Sequence, residues 1–159
     1  MKIRKLTPET YPKASALLKQ AFTRTAFEVR LVENLHKNGR AVHEWVCIHR
    51  NSVIAYIAFS NAYHGADVCG LHLAPLAVKP EFQRQGIGSE LLRFALRQGE
   101  IKENTVFVMG DAGFYKRFGF EPCAMPNCAF DKNNAHFLSI RNNTSSQFTV
   151  KYEPEFNNR

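Results

Sequence analysis

Gln83-Arg84-Gln85-Gly86-Ile87-Gly88-Ser89 lies directly ahead of an apolar-periodic run, and its residue types can hold an anion. The first N–H groups of a helix have no partner inside the helix and carry partial positive charge. Glycines at 86 and 88 let a phosphate reach the main chain with no Cβ in the way, and Arg84 adds a full charge. The segment therefore reads as a phosphate or diphosphate site. Two familiar arrangements fit it poorly. A P-loop fails because no Gly-Lys-Ser/Thr follows the first glycine at the required distance. The dinucleotide fingerprint matches at Gly86 and Gly88 but meets Leu91 at its third position, although Asp111 stands about 20 residues on, where a ribose-binding acid would. A glycine-started helix without a ligand is the plain alternative.

The elements that must position this segment follow from hydrophobic periodicity. Lys2 to Leu6 reads as a strand, and Thr7-Pro8-Glu9 as the start of a helix that buries Ala14, Leu17, Leu18, Ala21 and Phe22. Phe27, Leu31, Val32 and Leu35 predict a second helix ending near Asn38-Gly39. Residues 44–49 and 52–60 form a predicted hairpin about Arg50-Asn51, followed by a strand over 69–78, a helix over 86–98 and an all-apolar strand over 105–109. A short helix is expected over 112–118, then short strands with a polar turn at 142–146. Strand, helix and strand across 69–109 make a right-handed crossover with its strands parallel. The expected fold is α/β with a mixed sheet, helices on both faces, and one domain over 1–159.

Val78-Lys79-Pro80-Glu81-Phe82-Gln83-Arg84-Gln85-Gly86-Ile87-Gly88-Ser89 closely resembles the acetyl-CoA motif V-x-P-x-x-Q/R-x-x-G-x-G of the GNAT superfamily of N-acetyltransferases. Gly113-Phe114-Tyr115-Lys116-Arg117-Phe118-Gly119-Phe120 resembles the second signature of that family, F-Y-x-x-x-G-F, in the right order and at the right spacing. Ala74 to Val78, Gly110-Asp111 and Val150 to Phe156 extend the likeness to the YhbS-type branch, over nearly the whole chain. The resemblance implies a GNAT-like fold, a mostly antiparallel sheet with one splayed parallel pair. It also implies acetyl transfer from acetyl-CoA to a primary amine by direct attack in a ternary complex, without a metal.

By that resemblance, main-chain groups of Leu76, Ala77 and Val78 pair with the pantetheine arm, and the amides from Gln83 through Arg84, Gln85, Gly86, Ile87 and Gly88 to Ser89 hold the diphosphate. Tyr115 stands where the family places the acid that protonates the departing thiolate, and a packing aromatic is the alternative. His72 occupies the position of the family's basic glutamate. Strand alternation puts residues 72, 74, 76 and 78 on one face, and an imidazole with a reference pKa near 6.5 suits proton removal. A histidine at the sheet surface is the alternative there. Asp111 either positions an amine or caps the helix that carries Tyr115. Glu28 and Glu33 lie on the second helix, which in the family walls the acceptor pocket; a solvated face explains them equally.

Composition excludes other classes. Thirteen Phe, five Tyr and one Trp are too many for disorder, and no apolar run approaches the roughly 20 residues that span a bilayer. The N-terminus lacks the apolar block of a secretory signal, and the four cysteines are scattered with no C-x-x-C, so the expectation is a cytoplasmic protein with free thiols. A net charge of +7 favours an anionic partner, whether nucleic acid, an acidic small molecule or a polyphosphate-bearing cofactor, and the dispersal of the basic residues weakens nucleic acid; acetyl-CoA is what the resemblance implies. A catalytically weak CoA-binding or protein-binding module on the same fold is the competing function. Monomer and homodimer are both open, as is the identity of the amine.

Overall fold

The computed structural model describes residues 1–130 and 136–157. The chain runs β1 (Lys2–Lys5), α1 (Tyr11–Ala21), α2 (Phe27–Lys37), β2 (Val42–His49), β3 (Ser52–His64) and β4 (Asp67–Val78). It continues through α3 (Ile87–Leu96), β5 (Val106–Met109), α4 (Ala112–Tyr115), β6 (Glu121–Pro122), β7 (Asn127–Cys128), β8 (Phe137–Ile140) and β9 (Thr149–Val150). Seven strands form one sheet in the order β1-β2-β3-β4-β5-β8-β6, and β4–β5 is its parallel pair. A two-residue parallel ladder, β7 with β9, is tied to β3 by the antiparallel bridge of Lys151 with Tyr63. Among the described residues no helix is long and apolar enough to cross a membrane.

Alternation along the central strands builds two cores. Trp45, Cys47, Ile57, Phe59, Leu71, Leu73, Val106 and Val108 point to the face covered by α3, which returns Leu91, Leu92 and Ala95. Val46, Tyr56 and Ala58 point the other way onto Ala14, Leu17 and Leu18 of α1. On that same side Phe107 and Phe137 meet Leu31 and Leu35 of α2 and the C-terminal Tyr152 and Phe156. Each fully buried Leu or Phe contributes roughly 1.5–3 kcal/mol, so both helix layers are strongly held.

Two boundaries differ from the sequence reading. The first helix starts at Tyr11, not at Thr7-Pro8. Pro12 decides this: in a helix begun at residue 8 its ring would strike the carbonyl four residues back, whereas in the first turn it costs nothing. Thr7 and Thr10 instead close a turn, each backbone N–H donating to the other's hydroxyl at 2.9 and 3.2 Å. The second difference is the length of β3 and β4, which extend to a tight turn at Gly65-Ala66 and pair His64 with Asp67. Residues 61–68 fall between the two predicted strands, and backbone pairing with a neighbour carries most of them as strand. None of the four cysteines is in a disulfide, and Cys47, Cys123 and Cys128 are buried.

Register then sets the site. Ile57 opposes Leu76 while Phe59 opposes Leu73, so β4 carries one extra residue between them. The bulge reverses the alternation: Leu71 and Leu73 share the α3 face with Leu76 and Val78, whereas Ala74 and Ala77 lie on the opposite side. Residues 72, 74, 76 and 78 therefore do not share a face, as simple alternation had predicted.

Candidate active site

β4 and β5 pair at only two positions, Leu71 with Val106 and His72 with Phe107. Beyond these β5 stays bonded to β8 as far as Met109, while β4 continues to Val78 along β3. The two parallel strands thus part at their C-terminal ends, and a crevice opens at the place where ligands enter such sheets. Lys79 donates its N–H to Ile54 on β3 at 2.8 Å. Strand alternation gives Ala77 the same direction and turns the peptide groups of Leu76 and Val78 toward the crevice. Of the three residues expected to offer their main chain, Leu76 and Val78 thus have peptide groups turned to the open edge, and Ala77 faces Tyr56 on β3.

Past Val78 a single 3-10 turn, Pro80–Phe82, leads to the glycine segment. Arg84 and Gly86 adopt the left-handed region at φ 64° and 81°, which curls successive N–H groups toward one point, an anion-binding concavity. The Gln83 amide donates to the Val78 carbonyl at 3.0 Å and ties the loop to the strand. A Cβ on Gly86 would meet nothing within 4 Å, so the turn is open rather than plugged. A cavity of about 420 Å³ lies over it, lined by Leu76 and Val78, by Gln83, Arg84 and Gly86 to Ser89, and by Phe82, Phe114 and Arg117. Gln85 is absent from that lining; its amide turns back to the Glu81 carbonyl at 3.3 Å.

On the far side of Leu76 a smaller cavity, about 200 Å³, occupies the gap between β4, β5 and α2. Tyr115 lines it, held by edge contacts to Phe114 and Phe120 at 4.9 and 5.5 Å between ring centroids. Its hydroxyl has no hydrogen-bond partner among the described residues, and burial pushes the phenol up to about 12. Gly110 makes room for the ring, since a Cβ there would come within 2.6 Å of Tyr115 Cε2. Asp111 caps α4, its Oδ1 accepting from the Gly113 N–H at 2.9 Å, so it holds the helix that aims Tyr115.

His72 is not brought to either cavity. The extra residue in β4 leaves it on the side away from Leu76 and Val78, 3% exposed and stacked on Tyr152 at 3.5 Å with rings 4° from parallel. Phe156 packs edge-on against it at 4.4 Å and itself lines the smaller cavity. The imidazole thus supports the cavity wall from behind, and the position expected of a base in direct contact with an amine is not what the register produces.

Residues 40–122 match the sequence profile of the family described as Acetyltransferase (GNAT) domain. YhbS of Escherichia coli, described as an uncharacterized N-acetyltransferase, is 35% identical over 127 residues, 78% of this chain and 75% of its own. The chain belongs to the GNAT acetyltransferase family. YjhQ of the same organism, also an uncharacterized N-acetyltransferase, is 39% identical over 103 residues, which span 61% of this chain but only 57% of YjhQ. The crystal structure of E. coli YhbS in complex with CoA superposes with a TM-score of 0.88 at 28% identity, covering 98% of this chain and 91% of that one. A GNAT family acetyltransferase from Brucella melitensis, in complex with acetyl-CoA, superposes at 0.80 with 27% identity, covering 98% and 97%.

Within the GNAT frame, three features escaped the sequence reading. Arg117 donates from Nη2 to Ser89 Oγ at 3.1 Å and lies over the rings of Phe114 and Phe118 at 5.0 and 5.4 Å, a cation at the mouth of the larger cavity. Its motif hid it, because the pattern around Tyr115 leaves that position free. Gly110 was read only as part of a resemblance, and its role appears only once the ring is in place. The third is the C-terminal strap. Arg40 pairs with Glu155 at 3.0 Å and Glu153 at 3.7 Å, both carboxylates buried, while Asn38 and Tyr63 donate to them at 2.6 and 3.0 Å. This clamp lays Tyr152 and Phe156 against the sheet, and no local signal links residues 40 and 155.

Proposed function

We propose that this chain transfers an acetyl group from acetyl-CoA to a primary amine in a ternary complex, as a single catalytic domain. The observation that carries the reading is the parting of β4 and β5 after His72–Phe107, with an anion cradle on one side of the gap and the Tyr115 hydroxyl on the other. The residues fit coenzyme A. The open edge at Leu76 and Val78 suits the amides of a pantetheine arm, and the N–H groups of Ile87, Gly88 and Ser89 with Arg84 and Arg117 suit a diphosphate. YhbS and the Brucella protein, in complex with CoA and acetyl-CoA, support the same ligand here.

Bound acetyl-CoA supplies an acetyl group activated as a thioester: the neutral amine nitrogen forms the new C–N bond, the C–S bond breaks, the proton lost by nitrogen passes to water, and water restores the proton that Tyr115 gives the sulfur. The chain's own residues do the rest. Leu76 and Val78 orient the arm, the helix start neutralises the diphosphate, and the apolar walls exclude water. Tyr115 holds its proton at the phenolic oxygen throughout the neutral range and presents it to the departing sulfur.

Incubation of the protein with acetyl-CoA and a panel of amines, followed by a thiol-reactive dye, tests the reading. Thiol release dependent on both substrates is expected. CoA binding with no release for any amine would overturn catalysis and leave a CoA-binding module.

A further inference from the structure

Among the described residues, the carboxylates of Glu44, Glu153 and Glu155 turn inward and each has a partner, while that of a fourth residue faces a cavity. Glu44 accepts from the Tyr56 hydroxyl at 2.5 Å and pairs with His36 at 2.9 Å. Glu153 and Glu155 are met by Tyr63, Asn38 and Arg40. The fourth, Glu28, lies in the first turn of α2 and lines the cavity that holds Tyr115. Among the described residues it makes no ion pair or hydrogen bond. Among the described residues it is also the only charged side chain in that lining; its companions include Phe22, Phe27, Leu31, Met109 and Phe156.

We infer that the acceptor is a compact primary monoamine with an aromatic or branched apolar body, its ammonium held by Glu28 on binding and releasing one proton to water before the neutral nitrogen attacks. This rests on the reading of the site as that of an acetyltransferase. Three physical points select the class. At about 200 Å³ the cavity lies below the roughly 300–1,000 Å³ usual for drug-sized ligands, so an oligosaccharide or long peptide does not fit within it. Apolar walls lower the local dielectric, which strengthens one carboxylate–ammonium attraction and leaves any second cation without a counter-charge. A polyamine or aminoglycoside would bring several charges to a single carboxylate on a chain of net charge +7. Phenylalanine rings on the wall suit both an apolar body and, through their π faces, an ammonium. A zwitterionic amino acid is disfavoured, because its own carboxylate would lie in the same small volume as Glu28.

Two measurements on the full chain test this. In turnover, phenethylamine and isoamylamine should exceed spermidine, kanamycin and glycine in kcat/KM by at least tenfold. Glu28→Gln should raise the amine KM tenfold or more with the acetyl-CoA KM unchanged, and Glu28→Asp should recover part of it. Calorimetry of phenethylamine into the CoA-saturated protein should show binding that Glu28→Gln abolishes. A preference for spermidine or kanamycin, or an unchanged amine KM in Glu28→Gln, overturns the inference while acetyl transfer stands. Glu28-dependent amine binding without thiol release sustains the inference about the cavity and overturns the transferase reading. A purely structural Glu28 would lower the melting temperature and leave the amine KM alone, which also refutes the assignment.

Discussion

Replacing Tyr115 by Phe separates two ways a phenol can assist a leaving thiolate. The ring stays in its slot between Phe114 and Phe120, and the hydroxyl that is lost has no partner among the described residues, so the fold should be unharmed. Against a thiol near 8.5, a phenol pushed up to about 12 is the weaker acid. Full proton transfer to a solvated thiolate would run uphill by about 5 kcal/mol, at 1.36 kcal/mol per pKa unit. Transfer becomes easier only if the sulfur is equally desolvated, as buried Cys47 is, its thiol also pushed up to about 12 by burial. If Tyr115 only donates a hydrogen bond to developing charge, its loss costs about 1.5–3 kcal/mol, or roughly 10–150-fold in kcat. If the proton moves during the step, the loss extends to about 10²–10⁴-fold.

Stopped-flow or steady-state thiol release at saturating acetyl-CoA reads the difference, with the acetyl-CoA KM as control. Because Tyr115 stays protonated until about pH 12, it should produce no alkaline limb in kcat below about pH 11. A wild-type limb near pH 9–10 that vanishes in Tyr115→Phe, or an unchanged kcat, would refute the reasoning. Its raised folded value also means that its neutral form stabilises the fold fully below pH 10. That contribution, about 3 kcal/mol, is lost as pH rises through 12, and Tyr115→Phe should lack that part of the alkaline loss.

Gly110→Ala brings a Cβ within 2.6 Å of the same ring, and is expected to lower kcat at least as much as Tyr115→Phe while costing about 1–3 kcal/mol by denaturant titration; an undiminished kcat would show that the ring position is immaterial. Gly86→Ala meets open space but strains a backbone at φ 81° by roughly 1–2 kcal/mol, so CoA affinity measured by calorimetry should fall while kcat at saturation holds. Arg40→Ala strips Glu153 and Glu155 of their cation, with an expected loss of about 3 kcal/mol and a melting point lower by roughly 6–12 °C. Burial alone would raise the Glu155 carboxyl, but hydrogen bonds from Asn38 and Arg40 outweigh it and hold the group below its usual value. Its stabilisation is therefore present above the unfolded carboxylate range and lost as pH falls through the lowered folded value. In Arg40→Ala that acid loss should begin at higher pH, as circular dichroism would record; superimposable acid titrations would exclude the clamp.

Much of this protein is local. Gly86 and Gly88 ahead of Leu91, Leu92 and Ala95 specify a phosphate-facing helix start, because unpaired N–H groups and amphipathic periodicity are properties of a short segment. The same holds for the crossover from β4 to β5, for Tyr115 on a capped turn, and for the family itself, whose two motifs are each contiguous. What the chain could not disclose by itself is whatever depends on register and on distant partners. One extra residue between Leu73 and Leu76, visible only against β3, puts His72 on the face opposite Leu76 and Val78 and pairs Ala77 with Tyr56. The parting of two strands is set by where β8 stops β5 and β3 carries β4, not by either sequence. Glu28 and Glu33 read alike in sequence, as pocket wall or solvated face, until α2 is laid over the gap and only Glu28 lines the cavity beside Tyr115, and Arg40 has no meaning until the C-terminal strap returns to it. Side-chain chemistry is written one residue at a time, but which faces meet is decided by packing the whole sheet at once.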